Sequence, residues 1–404
     1  MKKAVMYGGG NIGRGFVGPI FSRAGYHVSF VNTREQVINE INARGEYPVR
    51  LINNSGYTEE TVKNVCSVNG NDVEETSEAI AECDIMATAV GARVLGLIVP
   101  NIVAGMRKRW ARTEKPLNII ICENLNDANK ILEGMILEQL TEEEKALFYE
   151  RVGLVETSIG RMVPVQTDEM KNGDDLRICT ERYPFLPVDK AAFKGEVPEI
   201  TNMIPFEPFD FYLKRKLYIH NMGHAVCAYL GMRNAKEYIF EAIDDAEILN
   251  ITQNAMLESA MAMSKEYSMP LDGILLHMQD LIARFGNVLL KDTCDRVGAD
   301  PARKLGPTDR LIGSSLLCLK HGITPAYITV GAAGAVYRYL DENGREQTTA
   351  GAEKVLKDVS GLEADSALAK LILANYEKLL AGASTAELRR SAQNVKYQSL
   401  GNVI

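Results

Sequence analysis

The sequence predicts an α/β domain followed by a mainly α-helical domain, and three observations support this prediction. Short apolar runs alternate with helical patterns in the first third of the chain, as in parallel βαβ units. A glycine-rich segment follows the first apolar run directly. Helical periodicity dominates after Phe211. Because 404 residues exceed one ordinary core, we expect two domains, at residues 1–205 and 206–404.

Four apolar runs predict strands of a parallel sheet, at residues 4–7, 28–31, 84–90 and 117–122. Ligands of such sheets bind outside the carboxyl ends of the strands. The loops that follow the four runs should therefore share one crevice. These loops are residues 8–13, 32–34, 89–92 and 123–126.

The composition of the chain changes between residues 168 and 211, where five prolines cluster and helical periodicity weakens. This change predicts extended segments and a connection between the domains. Helices are then predicted at residues 237–247, 251–267, 273–285, 307–320 and 364–380, and Asn343-Gly344 marks a tight turn.

Composition indicates a soluble protein of the cytoplasm. The net charge of −8 argues against a nucleic-acid partner and provides no polybasic membrane anchor. The seven cysteines are scattered without a C-x-x-C pair, a pattern typical of reduced thiols. There is no signal-peptide pattern and no apolar run long enough to span a membrane. We expect a monomer or small homo-oligomer that binds no membrane.

The segment Gly8-Gly-Gly10-Asn11-Ile12-Gly13 fits the pattern G-x-G-x-x-G between a predicted strand and a predicted helix. In this context it predicts a Rossmann-like dinucleotide site, in which the helix N-terminus receives the phosphates. The alternative is a structural turn. Cofactor contacts are expected from Gly8, Gly10, Asn11, Ile12 and Gly13, and from Val90 and Gly91 after the third strand.

The second strand ends at Asn32-Thr33-Arg34 rather than at the acidic residue that selects NAD. A neutral Asn32 does not repel a 2′-phosphate, and Arg34 can pair with one. Alternatively, Asn32 bonds the ribose hydroxyls of NAD and Arg34 faces adenine or solvent. The expected cofactor is NAD, with NADP left open.

The segment Lys216-x4-Asn221-x2-His224 concentrates polar groups in apolar sequence. On an α-helix with about 100° per residue, His220, Asn221 and His224 lie about 40°, 140° and 80° from Lys216. The alternative is a lysine at the helix surface beside hydrogen-bonded core histidines. Hydride transfer to or from a carbinol needs a proton acceptor, and Lys216 is the best candidate because burial lowers the pKa of an amine. The five histidines and seven cysteines lack the spacing of a zinc site, so no metal is expected.

These motifs resemble those of the polyol-specific long-chain dehydrogenases over residues 4–340. The resemblance rests on the glycine segment, residues 88–91 and 117–124, the lysine segment, and residues 296–311. It implies that Lys216 is the general acid and base. It also implies that Asn221 and Asn124 donate hydrogen bonds to the reacting oxygen, and that His224 holds a neighbouring hydroxyl.

The resemblance further implies that Arg296 and Lys304 face the open-chain substrate, with Arg303 in the same basic segment. A guanidinium can clamp a phosphate or adjacent hydroxyls. The alternative is a solvated basic helix face.

Three positions depart from the family. Asn32 replaces an acidic residue. Gly160-Arg161-Met162 stands where Asp-Arg-Ile is common, which removes a supporting carboxylate. Lys214 stands where an acidic residue is frequent, and a buried cation there would further lower the pKa of Lys216.

The resulting hypothesis is an NAD(P)-dependent oxidoreductase that interconverts a sugar alcohol phosphate and a ketose phosphate. Mannitol 1-phosphate and fructose 6-phosphate are the leading pair. Alternatives in the same class are a hexuronate reductase and a non-phosphorylated polyol dehydrogenase. A non-catalytic dinucleotide sensor is the alternative from another class.

Overall fold

The computed structural model describes residues 1–125 and 127–401, and the chain divides into two compact units, Met1–Asp210 and Phe211–Ile404. The first unit is α/β and the second is helical, as predicted. Residue 126 of the predicted loop 123–126 and residues 402–404 of the predicted second domain lie outside the described residues.

A six-stranded parallel sheet forms the centre of the first unit. Its strands are β1 (Lys3–Tyr7), β2 (His27–Asn32), β5 (Val65–Asn69), β6 (Ile85–Thr88), β7 (Leu117–Ile121) and β8 (Val152–Glu156). Their spatial order is β5-β2-β1-β6-β7-β8. The order reverses between β1 and β6, so the loops after these two strands flank the switch point at which doubly wound sheets bind ligands.

Both faces of this sheet are buried because side chains alternate along each strand. Met6 and Phe30 pack into the core on one face, and Tyr7 and Val31 pack into the core on the other. Near-continuous apolar sequence in the strands follows from this double burial.

The remaining strands of the first unit form two small sheets. Strands β3 (Glu46–Asn53), β4 (Gly56–Lys63) and β9 (Ile178–Glu181) form one, and β10 (Leu186–Asp189) and β11 (Met203–Phe206) form the other. The helices are α1 (Gly18–Arg23), α2 (Glu35–Arg44), α3 (Val73–Glu82), α4 (Leu95–Trp110), α5 (Ala128–Leu137), α6 (Glu142–Arg151) and α7 (Asp168–Lys171). A π-helical turn, Gly13–Val17, precedes α1.

Helix α8 (Asp210–Arg215) starts at the last residue of the first unit. It continues through a π-helical turn (Lys216–Asn221) into α9 (Met222–Arg233), and the three form one continuous helix. The helices that follow are α10 (Ile239–Asp244), α11 (Ala246–Tyr267), α12 (Leu271–Phe285), α13 (Cys294–Gly298), α14 (Pro301–Lys304), α15 (Ile312–Lys320), α16 (Ile328–Glu342), α17 (Thr349–Asp358), α18 (Ala367–Leu380) and α19 (Thr385–Leu400).

Helix α9 lies at the centre of the second unit, with nine of its residues buried. Glycines let the neighbouring helices approach it closely. A Cβ on Gly331 of α16 would lie 2.5 Å from the side chain of Val226, and one on Gly223 would lie 2.6 Å from Met256 of α11. This packing holds the lysine segment against a close-packed core.

The structure adds elements that the sequence analysis did not predict. The hairpin of β3 and β4 turns tightly, with Asn53 paired to Gly56. Helices α16, α17 and α19 were also not predicted. The proline-rich segment does contain the expected extended structure, in β9 to β11.

Candidate active-site residues

The glycine loop after β1 can be formed only without side chains at two positions. Gly8 has φ +109°, and a Cβ there would lie 2.4 Å from the carbonyl oxygen of Ala89. A Cβ on Gly13 would lie 2.0 Å from the carbonyl oxygen of Gly8. No atom lies within 4 Å of the corresponding position at Gly10, so the backbone there is open to a bound group.

Arg14 holds the glycine loop in place through hydrogen bonds to backbone carbonyl oxygens, a role that was not predicted. Its guanidinium is buried and donates to the carbonyl oxygens of Gly9 (2.8 Å) and Leu176 (2.7 Å). Burial lowers the pKa of Arg14. The sequence carries no signal for this role, because the acceptor at Leu176 is 162 residues away.

Asn32 lies beside the glycine loop with one half of its amide unused. Its Oδ1 accepts the N–H groups of Thr33 (2.9 Å) and Arg34 (3.2 Å). Its Nδ2 is buried and has no hydrogen-bond partner among the described residues, and it lies 2.7 Å from the Cβ position of Gly9. An unsatisfied buried donor at this place suits a ligand oxygen such as a ribose hydroxyl. The side chain of Arg34 is exposed.

The N–H groups of Val90 and Gly91 already have a partner in the protein. The carboxylate of Glu123 accepts both, at 2.9 Å and 2.7 Å. Glu123 therefore ties the loop after β6 to the end of β7, and any cofactor contact from residues 90 and 91 must use other atoms. Asn124 follows Glu123 and is exposed.

Residues 160–162, which stand where Asp-Arg-Ile is common in the family, make other contacts within the first unit. A Cβ on Gly160 would lie 2.9 Å from the ring of Tyr183. The Arg161 guanidinium donates to the carbonyl oxygen of Gly15 (2.9 Å) and lies 4.5 Å from the Phe16 ring centroid. Arg161 thus supports the first helix after the glycine loop.

The lysine segment is a π-helical turn and not the regular α-helix on which the predicted angles were based. Hydrogen bonds from i to i+5 widen the turn, so the angles calculated for an α-helix do not apply to residues 216–221. Such turns occur frequently at functional sites. The lysine, asparagine and histidine nevertheless lie within little more than two turns of one continuous helix.

Lys216 is partly buried and has no hydrogen bond or ion pair among the described residues. Desolvation lowers its pKa to about 8, and the positive charge of Arg310 acts in the same direction. The cation that lowers the pKa of Lys216 is therefore Arg310 and not Lys214, whose Nζ donates to the hydroxyl of Tyr218 at 3.3 Å. The expectation that Lys214 tunes Lys216 is replaced by this arrangement.

His224 is held on two sides. Its ring stacks on Phe285 with centroids 4.6 Å apart and planes at 10°. Its Nε2 lies 3.6 Å from Oδ2 of Asp292. Burial lowers the pKa of His224 to about 4, despite the opposing effect of Asp292. Its imidazole is therefore neutral near pH 7. The neighbouring His220 is buried, and burial likewise lowers its pKa.

Asn221 completes the motif on the last residue of the π-helical turn. Its side chain is partly buried and has no hydrogen-bond partner among the described residues. Both Lys216 and Asn221 thus keep their polar groups available for a ligand.

The basic segment divides into exposed and buried cations. Arg296 pairs with Asp292 through Nε (2.7 Å) and Nη2 (2.6 Å). Arg303 is largely exposed and pairs with Asp300 at 2.8 Å. The geometry thus gives Arg303 the environment of a solvated helix face.

Lys304 and Arg310 are the buried cations of this segment. The Lys304 Nζ donates to the carbonyl oxygen of Ala299, and desolvation together with Arg310 lowers the pKa of Lys304 to about 8. Arg310 is mostly buried, and its Nε lies 2.8 Å from Oδ1 of Asp309. Asp292 contacts the predicted site residues His224 and Arg296, and Arg310 lowers the pKa of Lys216 and Lys304. Neither Asp292 nor Arg310 was predicted as a ligand-binding residue.

The described residues contain no group of three or more His, Cys, Asp or Glu side chains arranged to hold a metal ion. Among the helices in the described part of the chain, none has the length and apolar character needed to cross a membrane.

Comparisons with known families match both units. The family model for the mannitol dehydrogenase Rossmann domain matches residues 2–202. The model for the mannitol dehydrogenase C-terminal domain matches residues 209–383. A mannitol-1-phosphate 5-dehydrogenase from Brevibacillus brevis is 34% identical over 382 residues, which cover 93% of this chain and 98% of that relative.

Two solved structures share the fold. A substrate-free D-sorbitol dehydrogenase has a TM-score of 0.80 at 15% identity, covering 95% of this chain and 94% of its own. The Pseudomonas fluorescens mannitol 2-dehydrogenase in ternary complex with NAD and D-mannitol has a TM-score of 0.72 at 12% identity, covering 96% and 94%.

Proposed function

The chain belongs to the mannitol dehydrogenase family, and we propose that this polyol oxidoreductase interconverts mannitol 1-phosphate and fructose 6-phosphate with NAD. The observation that carries the proposed chemistry is the state of Lys216. It is an amine without a counterion among the described residues, with a pKa lowered to about 8. The 34% identical relative is named for this substrate.

The cofactor is bound by the loop at the carboxyl ends of β1 and β2. Gly10 leaves room for a pyrophosphate beside the helix N-terminus, and Asn32 directs an unused N–H donor toward the same loop. Bound NAD would supply the acceptor for the hydride that leaves the carbinol carbon during oxidation. Asn11, Ile12 and Gly13 form the start of the helix whose N–H groups would hold the phosphates, and Arg34 would face the adenosine part.

Lys216 exchanges the hydroxyl proton with the substrate. In oxidation the neutral amine accepts the proton as the hydride leaves, and in reduction the ammonium returns it to the ketone oxygen. A pKa of about 8 leaves both forms populated near neutrality. Oxidation should therefore accelerate as the pH rises through about 8, and reduction should slow.

Neutral donors stabilise the charge that develops on the reacting oxygen. Asn221 supplies an amide N–H group, which does not titrate and so does not compete with Lys216. The family resemblance implies the same donor role for Asn124. His224 holds a neighbouring hydroxyl as a neutral imidazole.

The phosphate of the substrate requires positive charge. We assign it to the basic segment, in which Arg296, Lys304 and Arg310 offer cations in a protein of net charge −8. Arg303 is assigned long-range attraction only. Arg296 and Arg303 are both largely exposed and ion-paired, but the family resemblance places Arg296 and not Arg303 against the substrate.

The test of the proposed function is Lys216→Met, measured as NADH oxidation with fructose 6-phosphate at 340 nm. Loss of the proton donor should reduce turnover by about 10²–10⁴-fold while NADH affinity is retained. Lys265→Met, which removes an exposed lysine of the same unit, is the matched control.

Parallel assays with fructose and a ketohexuronate decide the substrate class. Equal turnover of fructose would replace the phosphorylated substrate by a free polyol, and preferred turnover of the hexuronate would make the protein a hexuronate reductase. A wild type that binds NADH but reduces none of these compounds would favour the non-catalytic sensor.

A further inference from the structure

Asp292 joins two residues that the proposed function uses separately. Its carboxylate lies 3.6 Å from Nε2 of His224 and forms a two-point ion pair with Arg296. The side chains of Asp292 and His224 are each 13% exposed, so water screens their contact weakly. The Arg296 side chain is 65% exposed, so water screens its ion pair with Asp292 more strongly.

The backbone around Asp292 is held in place within the second unit. The carbonyl oxygen of Asp292 accepts the N–H of Ile239 at 2.9 Å, and Thr293 forms an isolated β-bridge with Tyr238. The carboxylate is therefore presented to His224 from an anchored segment.

At 3.6 Å, the contact between Asp292 and Nε2 of His224 is longer than a hydrogen bond, but the negative charge of Asp292 favours a hydrogen on the nearer nitrogen. A neutral imidazole has one N–H donor and one acceptor nitrogen, whereas a carboxylate only accepts. The favourable arrangement places the hydrogen on Nε2, toward Asp292, and leaves Nδ1 as an acceptor. Stacking on Phe285 fixes the plane of the ring, so a change in tautomer or a ring flip is the remaining freedom.

We propose that Asp292 is a positioning residue that holds His224 as the Nε2–H tautomer, with Nδ1 accepting a hydrogen bond from a substrate hydroxyl, and that aligns Arg296 for the same substrate. The proposal rests on the proposed function for the identity of the substrate. The tautomer itself is a property of the free protein.

The first measurement is ¹⁵N NMR of the histidine side chains in the wild-type protein without substrate. There are five histidines, and the His224→Asn variant identifies the signal of His224. We expect Nε2 of His224 to carry the proton near pH 7. Protonation of Nδ1 instead would overturn the proposal without any variant of Asp292 being needed.

The second measurement compares Asp292→Asn with Asp292→Glu. An asparagine can donate as well as accept, so it should permit both tautomers, whereas glutamate keeps an acceptor-only carboxylate and should restore the Nε2–H form. In Asp292→Asn we expect kcat/KM for the sugar phosphate to fall about 10–100-fold, mainly through KM, with KM for NADH unchanged. A wild-type tautomer and wild-type kcat/KM in this variant would contradict the proposal.

Asp295→Asn is the matched control, because Asp295 is 75% exposed and pairs with Arg338. This variant should keep both the tautomer and the kinetics. In a double-mutant cycle, Asp292→Asn should lower kcat/KM for the sugar phosphate only slightly further when His224 is already asparagine. Any remaining decrease would be the part of the effect of Asp292 that acts through Arg296. If no substrate is turned over but the NMR result holds, the proposed function fails and the tautomer assignment stands.

Discussion

The environment of Lys216 differs from that of an ordinary surface lysine in one respect that matters for proton transfer. Most lysines near carboxylates gain an ion pair, which favours the ammonium form. Lys216 has a cation, Arg310, as its charged neighbour and no counterion among the described residues. Desolvation and this charge act together, so the amine can take part in proton transfer near neutral pH.

At the residue scale, we propose that Asn32 sets the cofactor preference. Its unused Nδ2 can donate to a ribose hydroxyl, but it offers no negative charge to repel a 2′-phosphate.

We predict that Asn32→Asp increases the preference for NADH over NADPH by about 10-fold or more, because a carboxylate accepts hydrogen bonds from both ribose hydroxyls and repels a 2′-phosphate. The measurement is the ratio of kcat/KM for the two cofactors. Asn71→Asp, an exposed change in the same unit, is the control. An unchanged ratio would mean that Asn32 does not contact the ribose.

At the scale of elements, the π-helical turn at residues 216–221 changes the spacing of the polar groups without ending the helix. The turn connects α8 to the central helix α9. The polar groups are therefore carried by a helix whose continuation is almost wholly buried, which limits their movement.

Three helices of the second unit meet at a buried carboxylate. Glu258 of α11 is 1% exposed and accepts the N–H groups of Tyr327 (3.1 Å) and Ile328 (3.2 Å) at the start of α16. Lys396 of α19 lies 3.2 Å from it and also donates to the carbonyl oxygen of Thr324. Burial raises the pKa of Glu258 to about 7, against the opposing effects of Lys396 and the N–H groups.

We predict that Glu258 makes stability fall as the pH rises. A carboxyl whose pKa is raised on folding binds its proton more tightly in the native state. Its contribution to stability is complete below about pH 4.5 and is lost as the pH rises through about 7. The difference in the free energy of unfolding between the wild type and Glu258→Gln should therefore change over this pH range, with the wild type losing at most roughly 3 kcal/mol relative to the variant.

The measurement is urea unfolding of both proteins at several pH values. Glu353→Gln, an exposed change in the same unit, should follow the wild type. A constant difference between wild type and Glu258→Gln across the range would contradict the prediction.

At the scale of the whole molecule, each of the two units has its own core and its own predicted site residues. The first unit buries both faces of a parallel sheet and carries the glycine loop. The second packs helices around α9 and carries the lysine segment. Each unit can therefore respond to a ligand with its own change in stability.

We predict that NADH protects the first unit preferentially against hydrogen exchange. At a concentration of about 100 times Kd, a ligand that binds only the native form adds about 2.7 kcal/mol to the free energy of opening. The slowest amides of β1, β2 and β6 should show this increase, and those of α9 and α11 should show less. Equal protection in both units would mean that they open as one cooperative body.

Much of the fold follows from patterns within short segments. The strands β1, β2, β6 and β7 were predicted within a few residues, because double burial makes them apolar runs with abrupt polar ends. The hairpin of β3 and β4 was not predicted, since one strand of the pair is largely exposed and polar. The family match confirmed the prediction of an enzyme of the polyol dehydrogenase class with a Rossmann-like domain followed by a mainly helical domain.

The sequence by itself determined the glycine loop, the Lys216–Asn221–His224 segment and the class of reaction, because spacing and turn chemistry are local properties. Only the tertiary structure decided the partners of these groups: Arg310 beside Lys216, Asp292 between His224 and Arg296, and Glu123 on the N–H groups of residues 90 and 91. Apart from Asp292 and Arg296, which are four residues apart, these pairings join positions far apart in sequence. They depend on which side chains lose water when distant segments pack, and local sequence does not encode that burial.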